Sequence, residues 1–405
     1  MSKRPRTALV IGGGIAGPVL ALALQRVGME VIVYEAYDTP ADYTGWFLNL
    51  ASNGLEVLGT LGIDLREADG FPMSRLVMWN GRGKRLGEVV NGLRPEDGPV
   101  SLCVKRGVLQ RVLRDEAVRR GVKMVYGKRL EHYNVKAGHV CTAFADGSDA
   151  EGDLLIGADG VHSRTRALIS PANPQPAYTG LLSIGGYAHA KDVPLPATPD
   201  TQHFIFGRRA FFGYLVRRTG EIYWFANLGQ PEEPGAGALR QLPASYWREK
   251  LCTLFETDQP FIREMIASSE TMGANAIYDM PHVPRWHEGP VGLIGDALHA
   301  TSPSAGQGAS LALEDALVMA QCLRDLPTAE DAFTAFESLR RARTERVVAY
   351  ARRNGGGKAV TTPVGRWVRD VTLPVVFKLF ANPKALEWLY TYSIDWETKV
   401  AVARR

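Results

Sequence analysis

The stretch that decides the fold is TALVIGGGIAG, residues 7–17, in which an apolar run meets a cluster of glycines. The apolar residues 7–11 predict a buried strand, and the run after the glycines predicts a helix over residues 14–28. A second apolar run predicts another buried strand over residues 30–35. The chain therefore opens with a strand–helix–strand unit, which is typical of an α/β protein with a parallel sheet.

The glycines form a GxGxxG pattern at the junction between the strand and the helix. Gly12 permits a tight turn, Gly14 lets a pyrophosphate approach the backbone, and Gly17 lets the helix pack closely on the sheet. Ile15 and Ala16 lie at the helix N-terminus, where backbone N–H groups attract phosphate charge. Because the flanking strands and the helix are also present, the pattern predicts a dinucleotide-binding turn rather than a simple glycine-rich loop.

An acidic residue follows at the spacing that such a turn requires. Glu35 lies eighteen residues after Gly17, at the end of the second predicted strand. A carboxylate at this place accepts hydrogen bonds from both hydroxyls of an adenosine ribose. An acidic rather than a basic residue favours an unphosphorylated ribose, as in FAD or NAD.

Composition and charge narrow the function classes. The 405 residues are 45% hydrophobic and 22% charged, which is typical of a soluble globular protein, and the length predicts two domains, with room to enclose a large ligand. A net charge of +4 gives no support for a nucleic-acid partner, and no polybasic block indicates a membrane surface.

Targeting segments and metal ligands are not expected either. No apolar run reaches the length of a signal peptide core or of a membrane-spanning helix, so we expect a cytoplasmic protein. Cys103, Cys141, Cys252 and Cys322 are scattered without CxxC or histidine spacing. They predict reduced thiols and no metal site.

Two further motifs carry a resemblance to a known family. Residues 153–166 read DLLIGADGVHSRTR, and residues 289–315 read GPVGLIGDALHATSPSAGQGASLALED. Together with GxGxxG they resemble the three fingerprints of the single-component (group A) FAD-dependent monooxygenases of the para-hydroxybenzoate hydroxylase fold. The resemblance extends over almost the whole chain, including the helix predicted from Arg106 and Arg285-Trp286 before the third motif.

The resemblance implies a Rossmann-like FAD-binding domain of the GR2 type, interleaved with an antiparallel β-sheet substrate domain and followed by C-terminal helices. Six prolines between residues 171 and 199 and several short aromatic runs after them mark the start of the second domain. The FAD-binding domain is expected at residues 1–72, 99–170 and 277–355, the substrate domain at 73–98 and 171–276, and a C-terminal helical segment at 356–405.

The third motif places candidate flavin contacts on a loop before a long helix predicted over residues 307–323. By the resemblance, Asp296 accepts hydroxyls of the ribityl chain, and Pro303 allows the backbone to lie flat beside the isoalloxazine. The positive end of the helix faces the N1 and O2 edge of the flavin, which gains negative charge on reduction. The residues that open this helix are Gly306, Gln307, Gly308 and Ala309. The alternative is a loop before the helix in which Asp296 is only a structural cap, and the presence of the other two motifs argues against it.

Three other positions match cofactor contacts of the family. Arg106 and Gln110 lie one turn apart on a helix predicted over residues 106–120 and resemble residues that reach the FAD phosphate and ribose; the alternative is a solvated salt-bridge face. Asp159, with Arg164, resembles a pair linked to FAD and nicotinamide binding, although an aspartate there also ties loops together. His162 and His299 are expected to be packed or exposed loop residues rather than catalysts, and Glu314-Asp315 to be structural.

One departure from the family pattern concerns the loop after Glu35. Family members often carry an arginine there, whereas this chain has no Arg or Lys between Glu35 and Arg66. The usual phosphate and nicotinamide contact from this loop is therefore in doubt. Trp46 and Phe47 either line the isoalloxazine or substrate or close the core, and the sequence does not decide between these.

The middle of the chain predicts an aromatic antiparallel meander with strands at residues 204–206, 211–216 and 221–228. Period-2 alternation aligns Phe204 with Phe206 on one face, and it also aligns Phe212, Tyr214 and Val216. Such a face is suited to cover a planar apolar substrate. His189, Tyr187 and Tyr214 are weak candidates for a proton relay that would deprotonate a phenol.

The resemblance implies an FAD-dependent monooxygenase that uses NADPH or NADH as a transient reductant. It would react with O2 and hydroxylate a small aromatic or polycyclic molecule through a flavin C4a-hydroperoxide. An FAD-dependent epoxidase or reductase of an isoprenoid-type substrate is the alternative, whereas a halogenase lacks support because no WxWxIP segment occurs. No catalytic residue is assigned, the substrate is open, and a monomer or homodimer is expected.

Overall fold

The computed structural model describes residues 6–40, 45–93, 96–136, 138–193, 195, 198–356, 362, 364–365, 368, 370–372 and 383–401. Residues 41–44 of the loop after Glu35 and much of the predicted C-terminal segment lie outside the described residues. The strands are β1 Thr7–Ile11, β2 Glu30–Tyr34, β3 Phe47–Leu50, β4 Phe71–Asn80, β5 Arg85–Val90, β6 Leu102–Lys105, β7 Lys123–Val125, β8 Leu130–Lys136, β9 His139–Phe144, β10 Asp149–Gly152, β11 Leu154–Gly157, β12 Ala177–His189, β13 Asp200–Phe206, β14 Phe211–Val216, β15 Glu221–Gly229, β16 Met272–Asp279, β17 His287–Glu288 and β18 Val291–Leu293.

Helices flank these strands. They are α1 Ala16–Arg26, α2 Ser52–Thr60, α3 Arg106–Arg119, α4 Arg164–Ile169, α5 Ala238–Gln241, α6 Ala244–Leu254, α7 Pro260–Ser268, α8 Asp296–His299, α9 Gly308–Asp325, α10 Ala329–Gly356 and a C-terminal helix Pro383–Tyr390, with short 3-10 turns at Arg66–Ala68 and Pro303–Ala305.

A six-stranded sheet in the order β17-β18-β11-β1-β2-β7 forms the first layer. Its central strands are parallel, so that Val10 lies opposite Val33 on one side and Ile156 on the other. The four residues 8–11 of β1 are all buried, as expected for a central strand of a parallel sheet covered on both faces. The predicted strand–helix–strand opening is thereby confirmed.

A nine-stranded sheet carries the aromatic residues. Its order is β16-β12-β15-β14-β13-β4-β6-β3, and β5 pairs with β4. Strands β13, β14 and β15 form the predicted antiparallel meander. The sheet also contains β12 and β16, two long strands that the sequence analysis did not identify. One face of this sheet packs on α6 and α7 around Trp224 and Trp247.

The predicted domain boundaries stay a prediction. Strands β3 and β6 belong by their predicted boundaries to the nucleotide-binding part, yet they extend the nine-stranded sheet by antiparallel pairing. The chain thus passes repeatedly between the two sheets, which agrees with an interleaved arrangement. A separate three-stranded sheet, β10-β9-β8, precedes β11.

Helix α2 begins without a side-chain cap among the described residues, and its first two residues contact other parts of the chain instead. The helix starts at Ser52 with Ala51 at the N-cap position, and no side-chain cap is present in the described part of the chain. The Ser52 hydroxyl instead accepts a hydrogen bond from the Leu93 backbone N–H, at 3.2 Å. The Asn53 amide donates to the side chain of Gln307, so both residues fix distant segments rather than the helix end.

Candidate active site

A cavity of about 1210 Å³ lies between the two sheets. One end is lined by the glycine turn and the start of α9, and the other by phenylalanines of the nine-stranded sheet. Pockets for drug-sized ligands measure roughly 300–1000 Å³. This cavity therefore has room for more than one small molecule.

The glycine turn combines two tight contacts with one open position. A Cβ built on Gly12, whose φ is +109°, would lie 2.4 Å from the Ala158 carbonyl oxygen, and one on Gly17 would lie 1.9 Å from the Gly12 carbonyl oxygen. By contrast, no heavy atom of the described residues lies within 4 Å of a Cβ built on Gly14, which lines the cavity. Gly12 and Gly17 thus serve packing, whereas Gly14 leaves space for a ligand.

The start of α1 faces the same space. Ile15 and Ala16 line the cavity, and in the described part of the chain no side chain caps this helix. The first backbone N–H groups of a helix have no partner within the helix. The N-terminus of α1 is therefore available to bind an anion.

Glu35 lies beside the glycine turn. Its two carboxylate oxygens accept hydrogen bonds from the backbone N–H groups of Gly13, at 2.7 Å, and Tyr37, at 3.0 Å. A carboxylate offers about four acceptor positions. Glu35 therefore holds the turn in place and still has acceptor capacity for the hydroxyls of a ribose.

Helix α3 brings Arg106 and Gln110 to this end of the cavity. The Gln110 amide donates to the Gly13 carbonyl oxygen at 3.4 Å, and Arg106 lines the cavity. Gly45, with φ of +77°, makes room for the arginine, because a Cβ there would lie 2.8 Å from Cδ of Arg106. Both predicted residues thus lie near the glycine turn.

Asp159 is placed differently from the other predicted residues. Its carboxylate accepts hydrogen bonds from the Ser163 hydroxyl at 2.5 Å and from the backbone N–H and hydroxyl of Thr165 at 2.9 Å. It fixes the loop whose neighbouring residues Ala158 and Gly160 line the cavity. The guanidinium of Arg164 donates to the Glu131 carbonyl oxygen instead.

The third motif contributes Asp296, the first residue of α8. It lines the cavity, and its carboxylate has no hydrogen bond or ion pair with the residues the structure describes. The preceding Gly295 adopts φ of +63° and donates its backbone N–H to Asp315 at 2.9 Å. Asp296 is thus held at the cavity wall with its acceptors available.

The start of α9 lies next along the wall. Pro303, Gly306, Gly308 and Ala309 line the cavity, together with Gln307 at the N-cap position. Gln307 is fully buried; its side-chain oxygen accepts from the Asn53 amide at 2.9 Å, while its Nε2 has no partner among the described residues. A buried amide donor without a partner is costly, so this atom fits a polar ligand group.

A buried charge network lies behind α9. Asp315 accepts hydrogen bonds from His299 Nε2 at 2.5 Å and from Arg340 at 2.8 Å. Glu314 pairs with Arg340 and Arg343, each at 2.7 Å. Burial alone would raise the pKa of Asp315, but the charges of His299 and Arg340 outweigh it and lower this pKa to about 2. These residues support the helix, as expected for Glu314-Asp315 and for His299. The ring of His162 packs edge-on against Tyr278, which also agrees with the expectation of a packed or exposed loop histidine.

Phenylalanines dominate the far end of the cavity. Phe204 and Phe206 of β13 line it, as do Phe211 of β14 and Phe225 of β15. The Phe204 ring lies 5.3 Å from that of Phe211 and 6.1 Å from that of Phe225, between ring centroids. The predicted face with Phe204 and Phe206 is thus exposed to the cavity.

The second aligned set of side chains predicted for the meander points away from the cavity. Phe212, Tyr214 and Val216 are aligned as expected, but they pack in the core beneath the sheet. Because successive strand residues alternate between faces, Phe211 points to the cavity and Phe212 to the core. Phe211 was missing from the predicted face.

Trp46 and Phe47 both line the cavity and also close the sheet around it. A Cβ on Gly185 would lie 2.6 Å from the Trp46 ring, so the indole packs directly on that strand. The Phe47 ring lies 5.5 Å from that of Tyr223. Both residues therefore close the sheet and also face the cavity, and contact with the isoalloxazine or the substrate stays a prediction.

The three relay candidates receive no support. Among the described residues that line the cavity, neither Tyr187, His189 nor Tyr214 occurs. Burial raises the pKa of Tyr187 and of Tyr214 to about 12. Both phenols therefore remain protonated near neutral pH, away from the cavity.

Polar residues missed by the sequence analysis also line the cavity. They include Asn49 of β3, Asn91 after β5 and Tyr390 at the end of the C-terminal helix. Their contacts link them to one another, although they come from distant parts of the chain. No motif or periodicity marked them in the sequence.

The FAD binding domain family model matches residues 6–351. This chain belongs to that FAD-binding family. The match covers most of the chain and all the motifs described above.

Relatives specify the kind of enzyme. The chain is 30% identical over 371 residues to the aurachin C monooxygenase/isomerase of Stigmatella aurantiaca, covering 90% of this chain and 92% of the relative. It is 31% identical over 354 residues to the FAD-dependent urate hydroxylase of Klebsiella pneumoniae, covering 85% and 88%. The chain is an FAD-dependent monooxygenase, which confirms the predicted family and enzyme class.

Solved structures agree with this family assignment. The crystal structure of Klebsiella pneumoniae HpxO complexed with FAD and uric acid matches with a TM-score of 0.83 and 27% identity, over 95% of this chain and 97% of that chain. A salicylate hydroxylase substrate complex, at 24% identity and a TM-score of 0.78, shares the fold. The predicted fold class and the FAD cofactor are confirmed.

In the part of this FAD-binding protein that the structure describes, no helix is both long and apolar enough to cross a membrane. The same part holds no group of three or more His, Cys, Asp or Glu side chains placed to bind a metal ion.

Proposed function

We propose that this FAD-dependent monooxygenase hydroxylates a neutral, mainly apolar aromatic molecule with two or more rings. The observation that carries the proposal is the phenylalanine-lined end of a cavity of about 1210 Å³. FAD would lie at the end of the cavity formed by the glycine turn and the start of α9, and the aromatic substrate would lie at the other end.

The FAD assignment uses residues from all three motifs. The pyrophosphate would lie against Gly14 and the start of α1, where Ile15 and Ala16 offer backbone N–H groups. Glu35 would bind the adenosine ribose, and Asp296 would bind the ribityl hydroxyls. Gly12 and Gly17 support this site by packing, because neither leaves room for a Cβ.

Other residues complete the phosphate side. Arg106 lines the cavity and supplies a positive charge, while Gln110 holds the glycine turn through Gly13. Asp159 would act indirectly, since its carboxylate is occupied by Ser163 and Thr165. We therefore assign Asp159 to positioning the loop rather than to direct contact.

The start of α9 is suited to the isoalloxazine. Pro303 and Gly306 would flank the ring, and Gln307, Gly308 and Ala309 would present their backbone N–H groups, with the unpartnered Nε2 of Gln307 beside them. When bound, FAD supplies the redox chemistry by which electrons from NADPH or NADH activate O2. A helix N-terminus in a partly buried site stabilises negative charge by about 1–2 kcal/mol.

Charge distribution favours a neutral substrate. The charged side chains described along the cavity are Arg75, Glu88, Arg106, Asp296 and Arg353. Arg106 and Asp296 lie at the cofactor end. Arg75 faces Glu88 at 3.7 Å and is 53% exposed, and Arg353 is exposed as well. A substrate carboxylate among the phenylalanines would therefore be buried without a cation, at a cost of several kcal/mol.

Shape and polarity favour a multi-ring aromatic molecule. Phe204, Phe206, Phe211 and Phe225 present rings that pack on a flat apolar ligand by stacked or edge contacts. Such walls also keep water from the reacting atoms. The side chains of this chain thus bind, orient and shield the substrate, and the position beside α9 decides which ring atom reacts.

The test uses FAD-loaded protein with NADPH or NADH under ¹⁸O₂. 2-Naphthol should stimulate nicotinamide oxidation more than urate or 3-hydroxy-2-naphthoate, and its product should contain one labelled oxygen atom. Preference for urate or for the naphthoate would refute the proposed substrate class. Coupled reduction of substrates without label in any product would refute hydroxylation and favour the reductase alternative.

A further inference from the structure

Three polar side chains form a hydrogen-bonded chain where the two ends of the cavity meet. The hydroxyl of Tyr390 donates to Oδ1 of Asn91 at 3.1 Å, and Nδ2 of Asn91 donates to Oδ1 of Asn49 at 3.4 Å. Nδ2 of Asn49 donates to the Gly306 carbonyl oxygen at 3.2 Å. The polar chain thus runs from the C-terminal helix to the loop that opens α9.

All three members of this polar chain line the cavity, and two of them, Tyr390 and Asn49, retain unused hydrogen-bonding capacity. Tyr390 donates its single proton to Asn91, so its oxygen still accepts. Asn49 uses one of its two amide protons on Gly306 and one acceptor position for Asn91. By contrast, both amide protons of Asn91 are used, one on Asn49 and one on the Met73 carbonyl oxygen at 2.8 Å.

The surrounding structure holds these groups in place. Asn91 is 4% exposed and Tyr390 is 6% exposed. The helix that carries Tyr390 is fixed by Arg343, which donates to the Trp388 carbonyl oxygen at 2.9 Å while pairing with Glu314 of α9. A polar group held this firmly loses little conformational entropy when a ligand binds.

The position of Asn49 ties the polar chain to the cofactor end. A Cβ on Gly306, which has φ of +62°, would lie 3.1 Å from Nδ2 of Asn49. Asn49 therefore lies directly against the residue proposed to flank the flavin ring. An oxygen atom bound by Asn49 would hold the attached aromatic ring next to the α9 end of the cavity, with the rest of the molecule among the phenylalanines.

We propose that Asn49 and Tyr390 bind the phenolic hydroxyl of the substrate and that Asn91 is a positioning residue that orients both. A phenol both donates and accepts hydrogen bonds, so it donates to the Tyr390 oxygen and accepts from the free amide proton of Asn49. The inference rests on the proposed function, since it specifies how that same cavity orients a neutral multi-ring phenol.

The protonation state of Tyr390 agrees with this role. Burial raises the pKa of its phenol well above the ordinary value. Tyr390 therefore stays neutral around pH 7, keeps its proton on Asn91, and offers its lone pair to the substrate hydroxyl. The polar chain carries no net charge, which matches a neutral ligand.

The test measures equilibrium binding to the FAD-loaded protein by perturbation of flavin absorbance, with 2-naphthol and naphthalene as probes. A neutral hydrogen bond changes an affinity by about two- to tenfold. Wild type should bind 2-naphthol about two- to tenfold more tightly than naphthalene. In Tyr390→Phe this ratio should fall towards one through weaker naphthol binding, with naphthalene affinity unchanged.

Tyr350→Phe is the matched control. Tyr350 lines the same cavity, and within the described residues its hydroxyl takes no part in the polar chain. Its removal should leave the ratio as in wild type. Should Tyr390→Phe fail to fold, Asn49→Ala provides the same measurement, because it removes the donor to the phenol.

An unchanged ratio in the folded variants, or failure of 2-naphthol to bind wild type, would overturn the inference. The labelled-oxygen experiment is independent of this ratio. Incorporation of label together with an unchanged ratio would leave the monooxygenase function standing and refute only the polar anchor.

Discussion

Replacement by alanine should lower protein stability at Gly17 and FAD affinity at Gly14, although both glycines belong to the same turn. A Cβ on Gly17 would lie 1.9 Å from the Gly12 carbonyl oxygen, whereas one on Gly14 meets no described heavy atom within 4 Å. We expect Gly17→Ala to destabilise the protein without cofactor by about 1–3 kcal/mol, the range measured for overpacking. Gly14→Ala should leave that stability unchanged.

FAD affinity, by contrast, should fall in Gly14→Ala. A methyl group at Gly14 occupies the space in which the pyrophosphate would approach the backbone. If it displaces the phosphate at a cost of about 1–3 kcal/mol, FAD affinity falls by roughly five- to 150-fold. Gly14 is not in a left-handed conformation, so no backbone strain contributes to this loss.

The assay has two arms. Urea unfolding of FAD-free protein, followed by tryptophan fluorescence, compares stability among wild type, Gly14→Ala and Gly17→Ala. Titration with FAD, followed by flavin fluorescence, gives the dissociation constants. Wild-type FAD affinity in Gly14→Ala would refute the placement of the pyrophosphate, and equal destabilisation by both substitutions would refute the packing argument.

Three further substitutions test other parts of the site. Asp296→Ala should weaken FAD binding at least tenfold, because the ribityl chain would lose a charged acceptor. It should not alter stability, because the carboxylate has no partner among the residues that the structure describes. An FAD affinity equal to that of wild type would exclude contact between Asp296 and the ribityl chain. Asp315→Asn should lower the free energy of unfolding by about 2–3 kcal/mol at pH 7, because the pKa of Asp315 is lowered from 3.8 to about 2. In urea unfolding measured at decreasing pH, the difference from wild type should disappear as the pH falls from 3.8 to about 2. A constant difference down to pH 2 would contradict the ion-pair explanation. Phe204→Ala should weaken naphthalene binding to the FAD-loaded protein by about 2 kcal/mol, because Phe204 lines the cavity. Phe212 lies on the opposite face of the sheet, so Phe212→Ala should mainly lower the free energy of unfolding. Weaker naphthalene binding in Phe212→Ala but not in Phe204→Ala would contradict the assignment of sheet faces.

The glycine turn and the start of α9 could be predicted because their function depends on residues close together in the chain. The long strand β12 could not, since Gly180, Gly185 and Gly186 weaken the strand pattern within it. The structure gives the reason for two of these glycines. A Cβ on Gly185 would lie 2.6 Å from the Trp46 ring, and one on Gly186 would lie 2.7 Å from the Trp224 ring.

The polar chain where the two ends of the cavity meet could not be predicted from the sequence either. Asn49, Asn91 and Tyr390 come from three distant segments, and each residue alone is an ordinary polar side chain. The pairing of β3 with β6, and of β4 with both β5 and β6, brings Asn49 and Asn91 to the same part of the sheet. The docking of the C-terminal helix brings Tyr390 to them. Such contacts depend on tertiary packing, which local sequence patterns do not record.

The charge network behind α9 bears on how the helix N-terminus acts on a ligand. Glu314 and Asp315 place two negative charges within the helix, where they would oppose the positive potential of its N-terminal end. Arg340 and Arg343 cancel these charges at distances of 2.7 to 2.8 Å. Because the compensation is local and buried, the potential at Gly308 and Ala309 remains that of the helix itself. Loss of either arginine would therefore reduce the stabilisation of an anionic ligand at the start of α9 as well as the stability of the fold.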